Sequence, residues 1–263
     1  MSISEATTTK DGEHIRHFYT ALFSAWGAQH WWPAETQFEV IVGAYLTQNT
    51  SWTNVERALA NLRQARILTV EGIRRVPLSR LERLIRPSGY FRQKAVRLKT
   101  FVRFLDRQYQ GSLEKMFAQP TEKLREKLLG LSGVGPETAD SILLYAGNRP
   151  VFVVDAYTRR ICDRHGLFSE KTDYESVRKL FQSSLNQLAE GQERSPIQVQ
   201  EFFVPGTRGA AHLPSSMSIA NRTALVQVYN EMHGLIVRVG KNFCRKARAT
   251  CDGCPLQQFF PPK

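Results

Sequence analysis

Gly133-Val134-Gly135, followed at once by Pro136, is a stretch whose backbone can do chemistry. Glycines two apart permit a tight turn and leave no Cβ between the main chain and whatever it approaches. Proline favours the first position of a helix, and the unpaired amides of a helix start suit a phosphate. Sixteen residues after Ala139 stands Asp155, at the end of the apolar run Pro150-Val-Phe-Val-Val154 and ahead of a basic amphipathic segment, residues 157–165. On this ground Asp155 reads as a helix N-cap, for which Asp is preferred. Trp31 and Trp32 precede Pro33, a place where helix is disfavoured, and read either as core aromatics closing a loop or as the aromatic wall of a pocket. Thr47-Gln-Asn-Thr-Ser-Trp52 offers small polar groups that suit capping between two helices.

The elements that must position these groups read as helices. Residues 12–26 place Ile15, Phe18, Tyr19, Leu22 and Phe23 on one face. Residues 36–47 are apolar enough for a buried helix, and 53–63 form a polar one. Charged residues 121–129 precede the Gly-Val-Gly turn, and 138–146 follow it with Ala139, Ile142, Leu143 and Ala146 on one face. Further helices are expected over 171–189 and 222–239. Residues 2–12 are polar and expected to fray, so 1–12 is assigned as a disordered N-terminus. Residues 191–221, with Pro196, Pro205 and Pro214, lack helical period and read as a surface insertion.

The helix, the Gly-Val-Gly turn, the second helix and Asp155 together resemble the helix–hairpin–helix DNA glycosylase superfamily, the endonuclease III relatives, over roughly residues 18–254. The resemblance implies an all-α fold of two helical lobes, with a cleft for DNA and the active site between them. One lobe would be 36–144, ending in the helix–hairpin–helix. The other would combine 13–35 with 145–263, carrying the 191–221 insertion and a Cys-rich C-terminal loop. In this family the aspartate in the place of Asp155 is catalytic, and the glutamine in the place of Gln48 enters the duplex beside the flipped nucleotide. Gly133, Gly135 and Thr138 would belong to the DNA-binding hairpin. Pro87-Ser-Gly-Tyr-Phe-Arg-Gln-Lys-Ala95 resembles the family's Gly-x-x-x-x-Lys-Ala turn, making Tyr90 the wedge that fills the vacated space and Arg92 and Lys94 DNA-facing. Trp31-Trp32-Pro33-Ala-Glu35 with Thr47-Gln-Asn-Thr50 looks like the branch containing 3-methyladenine DNA glycosylase III. There the Trp-Trp-Pro segment lines the base pocket, to which Trp52 and, on a looser match, Lys241 are added.

Cys244, Cys251 and Cys254 are spaced by six and two residues, as in the family's [4Fe–4S] loop, but the fourth position holds Phe260. An iron–sulfur cluster, another metal such as zinc, or a relic of the site are the open readings. Cys162 reads as a small buried apolar residue. Glu137 stands where bifunctional members have the lysine that attacks the sugar. A carboxylate cannot form that Schiff base, so a monofunctional enzyme is expected.

A net charge of +12 and a pI near 9.8 call for a polyanionic partner. Residues 71–103 hold ten Lys or Arg against two Glu, too lopsided for self-pairing. No apolar run is long enough to span a membrane and no signal-peptide pattern opens the chain, so a cytoplasmic, nucleoid-associated protein is expected. The expected activity is release of an alkylated base of the 3-methyladenine type from double-stranded DNA, by a monomer. A cationic adduct leaves readily and is recognised by electron-rich rings. Rival readings are a glycosylase for deaminated, oxidised or mismatched bases, an endonuclease III-like glycosylase with AP-lyase activity, and a lesion-binding module without catalysis.

Overall fold

The computed structural model describes residues 5–190 and 212–260. Within them the fold is all-α, with no named strand and one isolated bridge between Cys244 and Ala249. Its helices are α1 (Glu5–Trp26), α2 (Gln37–Thr47), α3 (Trp52–Gln64), α4 (Val70–Arg75), α5 (Leu78–Leu84), α6 (Phe91–Tyr109), α7 (Leu113–Phe117), α8 (Thr121–Leu129), α9 (Pro136–Ser141), α10 (Ala156–Arg164), α11 (Tyr174–Glu190) and α12 (Ala224–Asn242). The chain divides into two compact units, Ala34–Arg149 and a second made from the residues up to Pro33 and from Pro150 onward.

In the Ala34–Arg149 unit, α2 is the hub. Thr36 caps it, its side chain accepting from the Glu39 amide, and every residue from Phe38 to Leu46 is buried. A helix apolar on all sides must be covered on all sides. Here α3, α6 and α9 cover it, together with a single π turn, Ile142–Ala146. That turn corrects the one-faced helix expected over 138–146. The whole run from Thr138 to Ala146 is buried, so no face of it meets water.

Across the hairpin, Arg125 of α8 donates to both carboxylate oxygens of Asp140 in α9, at 2.6 and 3.1 Å. Both side chains are buried, so the pair fixes the two helices of the hairpin as one piece.

In the other unit, Ile15, Phe18 and Leu22 of α1 pack on α11, whose Val177, Leu180, Phe181 and Leu185 face inward. The α10 and α11 helices both pack on α12. The buried stretch Val151–Val154 carries the chain into this core, where Phe152 stacks on Phe181 at 4.5 Å. The α1 helix begins at Glu5, so residues 5–12 are helical rather than frayed, and residues 1–4 lie outside the described residues. Of the expected insertion, 191–211 lies outside the described residues. Ser215 and Ser218 close a turn just after it, the Ser218 hydroxyl accepting from the Ser215 amide at 2.8 Å.

The hairpin pair yields a stability test. Asp140→Ala strands a buried guanidinium and should cost about 3–5 kcal/mol in urea denaturation, whereas Arg125→Met with Asp140→Leu together should cost less than the single change. A double variant no more stable than Asp140→Ala would show that the charges themselves hold the hairpin.

Candidate active site

Asp155 caps α10 and keeps one oxygen spare. Its Oδ1 accepts from the Thr158 amide at 2.7 Å and from the Thr158 hydroxyl at 2.9 Å. Its Oδ2 faces Nε2 of His233, 3.5 Å away on α12. The residue as a whole is 9 % exposed. Burial alone would push its pKa up, but hydrogen bonding and charge from His233, with the Thr158 bonds, outweigh it and hold the carboxyl below its ordinary value. The N-cap reading of Asp155 is met by one oxygen, and the imidazole faces the other.

Two glycines of α12 bring the neighbours in. A Cβ on Gly240 would occupy the place of the Tyr157 ring, so α10 can lie close against α12 only because Gly240 has none. A Cβ on Gly234 would stand 3.0 Å from Cβ of Trp31 and 3.2 Å from Cβ of Gln29, so the segment ahead of Pro33 rests on the helix. The Gln29 amide latches that segment, donating to Oε2 of Glu231 at 2.8 Å. Burial pushes the Glu231 carboxyl up to about 7.

Trp31 is thereby placed 5.4 Å from the Trp32 ring and 6.4 Å from the His233 ring, and both tryptophans are buried. Nζ of the exposed Lys241 lies 5.6 Å from the Trp31 ring centre. Pro33 ends the segment, half-buried. One unit thus places Asp155 and Trp31 beside His233, a residue the sequence reading missed, with Trp32 and Lys241 against Trp31. No spacing signal marks His233; it sits among the apolar residues of an amphipathic helix and gains meaning only once Asp155 is placed.

The remaining candidates belong to the Ala34–Arg149 unit. Gly133 has φ +77°, a conformation that favours glycine, and the Arg97 side chain packs where its Cβ would be. Arg97 donates to Oε1 of Gln48 at 2.6 Å. Gln48 Nε2 in turn donates to the Gly133 carbonyl and the Thr138 hydroxyl, each at 2.9 Å. The glutamine is therefore tied to the hairpin, with Arg97 as an unforeseen member of the network. Gly135 has an ordinary φ and open space beyond its Cα, so the turn itself does not demand a glycine there. Glu137 is exposed in the first turn of α9. Trp52, half-buried, opens α3.

Tyr90 is 64 % exposed with φ 44°, a left-handed backbone that is costly for a bulky residue. Beside it, the guanidinium groups of Arg86 and Arg92 lie 5.9 and 5.7 Å from the Phe91 ring centre. Lys94 corrects the expectation of a DNA-facing side chain. It is buried, and its ammonium donates to the carbonyls of Leu46 at 2.8 Å and Ser88 at 2.7 Å. Its charge ties α2 and the turn at Ser88 to α6 and is out of reach of a phosphate. Burial, with Arg97 nearby, lowers its pKa to about 8.

Cys244, Cys251 and Cys254 line one small pocket together with Arg164, His165 and Phe260. Arg164 donates to Sγ of Cys244 at 3.2 Å and to the carbonyls of Arg245 and Lys246. Among the described residues no three His, Cys, Asp or Glu side chains are gathered as a metal-holding group, and the fourth family position is an aromatic ring. This donor set does not fit a four-thiolate cluster.

Residues 42–187 match the family model of the HhH-GPD superfamily base excision DNA repair proteins. A protein of Methanocaldococcus jannaschii named as a candidate DNA repair glycosylase is 41 % identical over 94 % of this chain and 96 % of its own. The crystal structure of H. pylori 3-methyladenine DNA glycosylase (MagIII) bound to 1,N6-ethenoadenine is similar with a TM-score of 0.66 and 28 % identity, covering 88 % of this chain and 97 % of that one. A trapped endonuclease III–DNA covalent intermediate shares the fold at a TM-score of 0.65 and 20 % identity, covering 94 % of each chain.

The two basic residues of the Tyr90 turn should separate by assay. Lys94→Met should cost about 2–3 kcal/mol in urea denaturation, because it strands two buried carbonyls. It should leave the salt dependence of duplex binding unchanged. Arg92→Ala should leave stability intact and lower the slope of log K against log salt by about one.

Proposed function

Because the chain belongs to the HhH-GPD superfamily of base excision DNA repair proteins, we propose that it is a monofunctional DNA glycosylase acting on alkylated purines in duplex DNA. A base stacked in a duplex is out of reach, so the nucleotide must rotate out, at a cost of a few kcal/mol in lost stacking. The exposed Tyr90 is suited to fill the vacated space, since an aromatic side chain can stack on the bases left behind. Breaking the N-glycosidic bond builds positive charge on the sugar. An ionised carboxylate held beside it stabilises that charge and orients the water that takes up the sugar carbon. Asp155 supplies the carboxylate, and its depressed pKa keeps it ionised at neutral pH.

The observation that carries the reading is the grouping of Asp155 Oδ2, His233 and the Trp31–Trp32 pair in one unit. Flat electron-rich rings suit a flat cationic base, and such a base needs recognition more than it needs an acid. The similarity to a 3-methyladenine glycosylase supports this substrate class. Glu137 at the position of the family's lyase lysine supports hydrolysis without strand cutting. A second reading rests on Lys241, whose amine lies near the Trp31 ring and could serve a bifunctional enzyme in place of the missing lysine. We expect the protein to act as a monomer on double-stranded DNA.

Methylated duplex DNA decides between these readings. The wild type should free 3-methyladenine or 7-methylguanine, leave alkali-labile sites without nicks, and give no adduct with borohydride; Asp155→Asn should lower release by at least about a hundredfold. A borohydride adduct that disappears in Lys241→Met would favour the bifunctional reading instead. Binding of damaged duplex with no release of methylated, deaminated or oxidised bases would leave a lesion-binding module.

A further inference from the structure

Asp155 is asked to do two things that compete. As the N-cap of α10 it must accept hydrogen bonds, and as the catalyst of the proposed glycosylase it must keep a charged oxygen available in a buried place. Thr158 takes Oδ1 twice, through its amide at 2.7 Å and its hydroxyl at 2.9 Å. Oδ2 is left, and a side chain of another helix meets it. Nε2 of His233 stands 3.5 Å away, with the imidazole buried and 6.4 Å from the Trp31 ring. The carboxylate and the aromatic wall thus share one neighbour. His233 reaches this place because α10 and α12 are in close contact through Tyr157 and Gly240.

We propose that His233 is the positioning residue of the catalytic carboxylate: its Nε2, in close contact with Asp155 Oδ2, fixes that oxygen for the sugar carbon and keeps the buried carboxyl ionised. This rests on the glycosylase reading above. No proton is transferred in the role, because both the imidazolium and the neutral tautomer protonated at Nε2 donate toward Oδ2. A buried carboxyl without such a partner would take up a proton and lose the charge that the reaction uses.

The other titratable groups around the pair do not supply this. Tyr157 and Cys162, both on α10, are pushed up first by burial and then by charges that include Asp155, so they are neutral at neutral pH. On α12, Glu231 accepts from Gln29 and Gln227, and Lys241 lies over Trp31. Asp11 of α1 bears on Cys162 and would add only negative charge.

The sign of the effect follows from the direction of the shift. A carboxyl held below its ordinary pKa stays charged until the pH falls through that lowered value, so loss of the partner moves the acid limb upward. The test uses the full chain with 13Cγ-labelled aspartate, the Asp155 resonance being assigned with Asp155→Asn. His233→Leu should raise the Asp155 titration midpoint by about one pH unit or more, a tenfold gain in proton affinity. His233→Gln, which keeps a donor near the place of Nε2 without the charge, should fall between. On methylated duplex, the acid limb of kcat should move in the same direction while KM changes less than about twofold.

An Asp155 midpoint unchanged in both variants overturns the proposal. If His233→Leu does not fold, His233→Gln decides on the same readout. The two readings fail separately: a wild type that frees no base sinks the glycosylase, while the titration still decides His233. If Asp155→Asn abolishes release and the His233 variants do not move the Asp155 midpoint, the glycosylase stands and His233 is only a core residue.

Discussion

A charged oxygen is expensive to hold away from water, and the Asp155 carboxylate is held there. Much of the surrounding unit can be understood as meeting that cost. The start of α10 supplies Thr158, whose amide and hydroxyl both reach back to Oδ1. The α12 helix supplies His233 for Oδ2. The close approach of these two helices depends on Gly240, which leaves room for the Tyr157 ring. Gly234, six residues earlier on α12, lets the Trp31 segment rest on the same helix. The Trp31 segment and the carboxylate are therefore positioned by one element, and a side chain at either glycine would disturb the geometry of both.

The Ala34–Arg149 unit answers a different constraint, a backbone turn that must stay rigid while exposed. Gly133 takes a positive φ, and the Arg97 side chain fills the space its missing Cβ leaves. Gln48 joins Arg97 to the Gly133 carbonyl and to Thr138. Beneath the turn, the buried Arg125–Asp140 pair locks the two helices together. The hairpin is thus braced from above by a polar network and from below by an ion pair. Such bracing holds the turn in one shape, which would lower the ordering cost of any binding there.

Much of this was legible in the sequence, for definable reasons. The turn glycine, the apolar α2 and the capping position of Asp155 are local signals, because backbone conformation and helical period depend on near neighbours. The segments at residues 12–26, 36–47 and 53–63 were readable for the same reason. Lys94 was misread because a lysine in a basic run looks solvated, and nothing local says that two carbonyls from distant segments will surround it. His233 and Arg97 were missed because their partners are far away in sequence, 78 and 49 residues off in the Asp155 and Gln48 contacts. The π turn after α9 was invisible for a related reason: it depends on packing against α2, which composition does not report. For the three C-terminal cysteines the spacing left a cluster, another metal and a relic open, and among the described residues they line one pocket without forming a metal-holding group.

The choice between hydrolysis and strand cutting turns on what a lysine needs in order to attack a sugar. A Schiff base requires the free amine, with its lone pair available. Lys241 is exposed, and its nitrogen lies over the face of Trp31. An aromatic face attracts the ammonium form, which has no lone pair, and exposure to water favours that form as well. In its ammonium form a nitrogen held over that ring would be no nucleophile. With Glu137 in the first turn of α9, the hairpin offers a carboxylate instead of an amine. On the proposed reading, both groups favour water as the attacking species, with Asp155 as the residue on which the reaction would depend.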